Sequence, residues 1–173
     1  SDLVNITNSD SYDAEATVSR DGRIVFTSSR SGDLELWSMD SDGGDLVQLT
    51  DTPGYDGGAF FSPDGSKIVW RASRFDDPEQ EAEYFALLEQ GLVRPSDMQL
   101  FVMDADGSNV FQLTDNGAAN FAPFFTPDGE SILYATNVVG DGPPGRVFEI
   151  YKIDLDGANR ERITYDESFS GFP

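Results

Sequence analysis

The sequence predicts an all-β fold, a β-propeller of four-stranded antiparallel blades, on three observations. A turn tetrapeptide recurs as SRDG (19–22), SPDG (62–65) and TPDG (126–129). A longer segment recurs as LWSMDSDGGDLVQLT (36–50), LFVMDADGSNVFQLT (100–114) and IYKIDLDGANRERIT (150–164). The runs flanking both are short and rich in β-branched and aromatic residues, as strands are. One four-stranded sheet cannot bury both faces alone, so repeats of about 40–50 residues must stack side by side.

Each repeat reads as two hairpins. Pro63 and Pro127 fix φ at the first central turn position, and Gly65 and Gly129 supply the positive φ that closes the turn. DSDG, DADG and DLDG work alike, with Asp bonding locally and Gly turning left-handed. The strands of the first unit are AEATVS, RIVFTS, LELWSM and LVQLT; of the second GAFFS, KIVWRA, MQLFVM and VFQLT; of the third FAPFFT, SILYAT, FEIYKI and RERIT. The expected organisation is a single propeller segment over 1–173, with blades at 12–50, 55–114 and 119–164. Residues 1–11 read as the end of a preceding blade, because DLVNIT matches DLVQLT, and 165–173 as the lead-in to a further one. About three complete blades are too few to close a ring, which takes four to eight.

Two insertions interrupt the pattern. From turn glycine to the first Asp of the closing hairpin there are 18, 39 and 25 residues in the three units. The long one, 77–97, carries a short helix over 79–90, with Pro78 at a first turn and Gly91 at the stop. Tyr84, Phe85, Leu87, Leu88 and Leu92 give it an apolar face. That face either packs on its own blade or offers Tyr84, Phe85 and Leu88 to a partner or second copy. VVGDGPPGRV (138–147) reads as an ordered or semi-rigid loop.

FSPDG (61–65), FTPDG (125–129), SSR (28–30), ASR (72–74) and the D-x-DG-x-x-x-x-x-LT ending resemble the repeat of the TolB-like β-propeller family, which is WD-repeat-like. Arg20 departs from it where the turn proline stands, and ATN (135–137) departs where the arginine motif stands. The resemblance implies a ring of six blades, completed by missing sequence, another chain or a second copy. It also implies a periplasmic or extracellular setting and a role in binding.

Composition limits the chemistry. The chain has 32 acidic and 11 basic residues, a formal charge of −21, and neither His nor Cys. That charge repels nucleic acid and anionic lipid; it fits a solvated surface, adaptation to high salt, or binding of cations or basic partners. His-based triads, thiol nucleophiles, disulfides and thiolate zinc sites are excluded within these residues. No G-x-S-x-G elbow or phosphate-cradling loop is present. No apolar run reaches the ~20 residues of a membrane span, and SDLVNITNSD lacks the basic and apolar regions of a signal peptide. The NIT at Asn5 matches a glycosylation acceptor only formally, since it falls on the repeat's LT position.

The pairs Asp40/Asp42, Asp104/Asp106 and Asp154/Asp156 recur at one turn and read as structural; DSDGGD lacks the remaining ligands of a calcium loop. Asp13, Glu15, Asp56 and Asn120, on segments leading into the first strands, are the candidate binding residues. They would converge at the mouth of the central channel and offer oxygens to a cation, calcium included, or to a basic peptide end. No residue is assigned a catalytic or metal-ligating role and no cofactor is required. The expected function is a non-catalytic scaffold that binds protein or ligand, or associates with itself through open blade edges. Two alternatives stand beside it: the substrate-gating propeller of a prolyl-oligopeptidase-like serine peptidase, and a structural subunit of a larger assembly.

Overall fold

In a computed structural model, residues 3–94, 97–138, 140, 142–165 and 169–173 are described. They form three four-stranded antiparallel sheets and one helix. The first sheet holds β1 (Asp13–Val18), β2 (Ile24–Ser28), β3 (Glu35–Met39) and β4 (Val47–Gln48). The second holds β5 (Asp56–Phe61), β6 (Lys67–Ala72), β7 (Gln99–Asp104) and β8 (Phe111–Gln112). The third holds β9 (Asn120–Phe125), β10 (Ser131–Val138), β11 (Pro144–Asp154) and β12 (Glu161–Arg162). Each sheet runs in chain order, and β1, β5 and β9 lie side by side where the sheets meet.

The apolar layers lie between sheets. Val25, Leu36, Ile68, Trp70 and Met103 fill the space between the first and second. Val69, Leu100, Phe125, Tyr134 and Ile153 fill that between the second and third. Alternation along each strand therefore sends one set of side chains to each neighbouring sheet.

Turn chemistry behaves as the sequence predicts. The Ser19, Ser62 and Thr126 hydroxyls donate to Asp21, Asp64 and Asp128 at 2.5, 2.6 and 2.5 Å. These bonds hold the three carboxyls below their usual range, Asp64 at about 2. Asp42, Asp106 and Asp156 each accept the amide N–H two residues on. Arg23, Lys67 and the Ser131 hydroxyl bond Asp40, Asp104 and Asp154.

Two expectations are corrected. The outer strands are only two residues long, because the threonine after each one takes over the ladder. Thr50, Thr114 and Thr164 accept the amide N–H of Leu36, Leu100 and Ile150 through their hydroxyl oxygens, at 2.8–2.9 Å. The expected loop at 138–147 is instead an extension of the β10–β11 hairpin, with Val138 opposite Pro144; within it, Val139 and Asp141 lie outside the described residues.

Helix α1 (Pro78–Leu88) sits in the connection from β6 to β7. The Asp77 carboxylate accepts the Glu79 amide as N-cap, at 2.9 Å. Tyr84 is buried with Leu34, Tyr55 and Met98, and its hydroxyl donates to Asp33 at 2.5 Å. An insertion of the second blade is thereby fastened to the first.

Candidate binding site

Strand register aligns one row of residues along the same edge of each sheet. The rows are Asp13–Ser28–Glu35, Asp56–Ala72–Gln99 and, by the same register, Asn120–Thr136–Glu149. Three of the four residues predicted from sequence, Asp13, Asp56 and Asn120, thus occupy one equivalent position.

What each does there differs. Arg30 pairs with Asp13 at 3.0 Å and stacks between the rings of Phe26 and Trp37. Arg74 clamps both oxygens of the fully buried Asp56 at 2.7 and 2.9 Å, while Trp70 Nε1 donates to it at 2.6 Å. Burial pushes Asp56 up to about 6, against the pull of Arg74 and Trp70. In the third blade register corrects the arginine position from the third residue of ATN to the next one, Val138; the acid has become Asn120, whose amide bonds Met98 O at 2.9 Å and Asn116 Oδ1 at 3.0 Å. Acid and arginine are lost together, as removal of one alone would strand a buried charge.

Glu15, two residues beyond Asp13, sits in a β-bulge. The same register break recurs in β5 and β9, and Glu15, Gly58 and Ala122 all take positive φ there, at 55°, 60° and 48°. The bulge turns the Glu15 carboxylate toward the second blade. There it accepts from Tyr55 Oη (2.6 Å), the Gly58 amide (2.9 Å) and Arg71 Nη2 (2.5 Å). Burial raises the Glu15 carboxyl, but Arg71, Tyr55 and Gly58 outweigh it and hold it below the usual range. A Cβ on Gly58 would lie 2.0 Å from Arg71 Nη1, so glycine makes room for the guanidinium.

The row's third member is Glu35, Gln99 or Glu149, all buried beside the repeat's threonine. Glu149 pairs with Arg162 at 2.7 Å, whereas the positions equivalent to Arg162 are Gln48 and Gln112. Gln99 is neutral, its Oε1 accepting the Thr114 hydroxyl at 2.9 Å. Glu35 has no arginine clamp: its Oε1 accepts the Thr52 amide, and Oε2 has no hydrogen-bond partner among the described residues. Burial pushes Glu35 up to about 8, reinforced by Asp56 and Asp33 and opposed by Thr50 and Arg74.

No hydrogen bond or ion pair joins any two of Asp13, Glu15, Asp56 and Asn120 among the described residues; each is bound to its own blade or to a neighbouring one. No group of three His, Cys, Asp or Glu among the described residues is arranged to hold a metal ion. Sequence reading missed Asp33, Glu35 and Arg71. The recurrence of Glu35, Gln99 and Glu149 one place before the conserved-register Leu36, Leu100 and Ile150 is the signal that marks the second of these.

A concavity of about 600 Å³ lies instead between α1 and the first two blades. Tyr12, Leu34 and Tyr55 from the blades and Phe85, Leu88 and Val93 from the insertion line it. Of the three helical residues predicted to contact a partner, Tyr84 is buried and bound to Asp33, while Phe85 and Leu88 are half-buried and line this cleft.

No family model matches the chain. The Agrobacterium fabrum protein Atu1656 is 34% identical over 124 residues, which are 67% of this chain and 37% of that protein. The uncharacterized peptidase YuxL of Bacillus subtilis is 28% identical over 77% of this chain and 23% of its own length. The Tol-Pal system protein TolB of Roseobacter denitrificans is 33% identical over 49% of this chain and 18% of its own. Among solved structures, a TolB candidate from Agrobacterium tumefaciens matches with a TM-score of 0.64 and 26% identity, over 90% of this chain and 49% of that one. The chain spans less than two-fifths of the length of these curated relatives. With its repeat, its blade topology and these relatives taken together, the chain is a TolB-like β-propeller segment.

Proposed function

We propose that the chain is a non-catalytic propeller scaffold that binds a protein or ligand on the blade edge carrying α1. The observation that carries this reading is the contrast between its polar and apolar features. Three arginines of the blade edge are spent on its acids: Arg30 on Asp13, Arg71 on Glu15 and Arg74 on Asp56. The insertion, by contrast, builds an apolar cleft of ligand size. A periplasmic or extracellular setting belongs to the same proposal and rests on the family. So does contact with further protein or a second copy, supported by the exposed Leu3, Val4, Tyr165 and Phe172 beyond the first and last strands.

A second reading is favoured by the YuxL likeness over 77% of the chain: a propeller that gates substrates for a separate peptidase domain. The scaffold reading meets one experiment, in which the purified chain is panned against a random peptide library and assayed on aminoacyl and peptidyl anilides. The scaffold reading expects binders that Leu88→Asp abolishes, and no hydrolysis. Hydrolysis by the chain itself, or binders indifferent to Leu88→Asp, would overturn it.

A further inference from the structure

The ten residues lining the cleft include no Lys or Arg, and their single charge is Glu89. Glu89 is the C-cap of α1, the end where the helix dipole is already negative. Helices ordinarily place Lys or Arg in this last turn; α1 has none there, and its acids Glu79 and Glu81 occupy the first turn. Nearby arginines do not compensate. Arg94 is held by Glu83 at 2.7 Å and Arg30 by Asp13 at 3.0 Å. Among the described residues the Glu89 carboxylate has no hydrogen bond or ion pair.

The cleft is thus an aromatic and aliphatic trough with one negative rim. Tyr12 is 59% exposed there, and its ring offers apolar surface to a ligand. We infer that this cleft binds a small organic cation: an ammonium head at Glu89 and the α1 C-terminus, and an aromatic or branched apolar body between Tyr12 and Leu88. An anion would meet the carboxylate, the helix end and a chain of net charge −21. A neutral apolar molecule would leave the Glu89 carboxylate without a counter-charge. The inference rests on the binding-scaffold reading and specifies its ligand.

Three probes of one shape test it: 4-phenylbutylammonium, 4-phenylbutanol and 4-phenylbutyrate, each titrated into the ¹⁵N-labelled 173-residue chain and followed by amide chemical shifts. Because a chain this acidic attracts any cation weakly, the readout is which amides move: Ser29, Gly32 and Gly91 report the cleft. The expected result is shifts confined to these amides, with the ammonium at least ~10-fold tighter than the alcohol or the carboxylate. Glu89→Gln should remove most of that advantage and Glu89→Lys invert it, while Tyr12→Ala weakens all three probes alike.

Equal affinities at the cleft would overturn the charge inference and leave the scaffold reading standing. Absence of cleft shifts with every probe at millimolar concentration would overturn both the inference and the cleft's place in the scaffold reading. A Lys-Phe hexapeptide shifting the same amides at more than ~10-fold lower concentration would overturn the small-molecule assignment in favour of a peptide.

Discussion

Glu35 makes stability fall as pH rises, and Glu35→Gln should abolish that fall. An unfolded-state glutamate ionises near its model value of 4.5, but in the folded chain burial holds the proton until about 8. Between those values the unfolded state has released a proton that the native state keeps, so rising pH favours unfolding. The slope is about 1.4 kcal/mol per pH unit for one group, which brings the penalty to about 3 kcal/mol at pH 7. It is absent below 4.5 and complete above about 8, where the native state also ionises. Glutamine removes the proton and keeps the shape. The second blade shows how it fits, since Gln99 accepts the Asn116 amide and donates to Ala118 O, both at 3.3 Å. The assay is urea unfolding of wild type and Glu35→Gln from pH 5 to 8.5. The expected curves diverge with pH, the variant being more stable by about 3 kcal/mol at pH 7. Parallel curves would mean that Glu35 is ionised in the native state and would refute the argument.

Two further outcomes follow from the blade-edge networks. Arg74→Val strands the buried Asp56 and should cost about 3–5 kcal/mol at pH 7.5 by urea unfolding. Asp56→Asn/Arg74→Val, which reproduces the third blade's Asn120 and Val138, should regain most of it; a double variant no better than the single would sink the paired-loss argument. Gly58→Ala combines positive φ with a clash on Arg71 and should cost about 1–3 kcal/mol. In an Arg71→Ala background its cost should drop toward about 1 kcal/mol, the strain that Ala122 bears at the same bulge. An unchanged cost in that background would show that the clash is not what glycine avoids.

The blades were legible because turns announce themselves. Pro63, Gly65, Pro127 and Gly129 have few other uses in such positions, and Asp side chains confirm each turn with a local bond. The helix showed itself through Pro78 and Gly91. What stayed hidden depends on partners distant in sequence. Nothing local marks Glu15 as a left-handed residue, since its conformation is supported by Tyr55, Gly58 and Arg71, 40 or more residues away. Nor does sequence reveal that Tyr84 reaches Asp33 across 51 residues, so its aromatic ring reads equally as surface or interior until the contact is seen. The 138–147 segment reads as loop because Gly and Pro dominate it, yet Val138 and Pro144 pair in the extended hairpin.

Because the apolar layers lie between sheets, the unit that the sequence copies and the unit that buries apolar surface are offset by half a blade. A duplicated blade brings two faces but no interior, and each must suit a neighbour it did not arise with. Selection on such an array acts on junctions: Trp70 and Phe101, stacked at 5.5 Å, serve the boundary with the first blade, while Val69 and Val102, one residue away on the same strands, serve the boundary with the third. A substitution in the second blade is therefore felt by whichever neighbour its side chain faces. Odd and even positions of one strand are free to change at different rates, each keeping pace with a different neighbouring repeat.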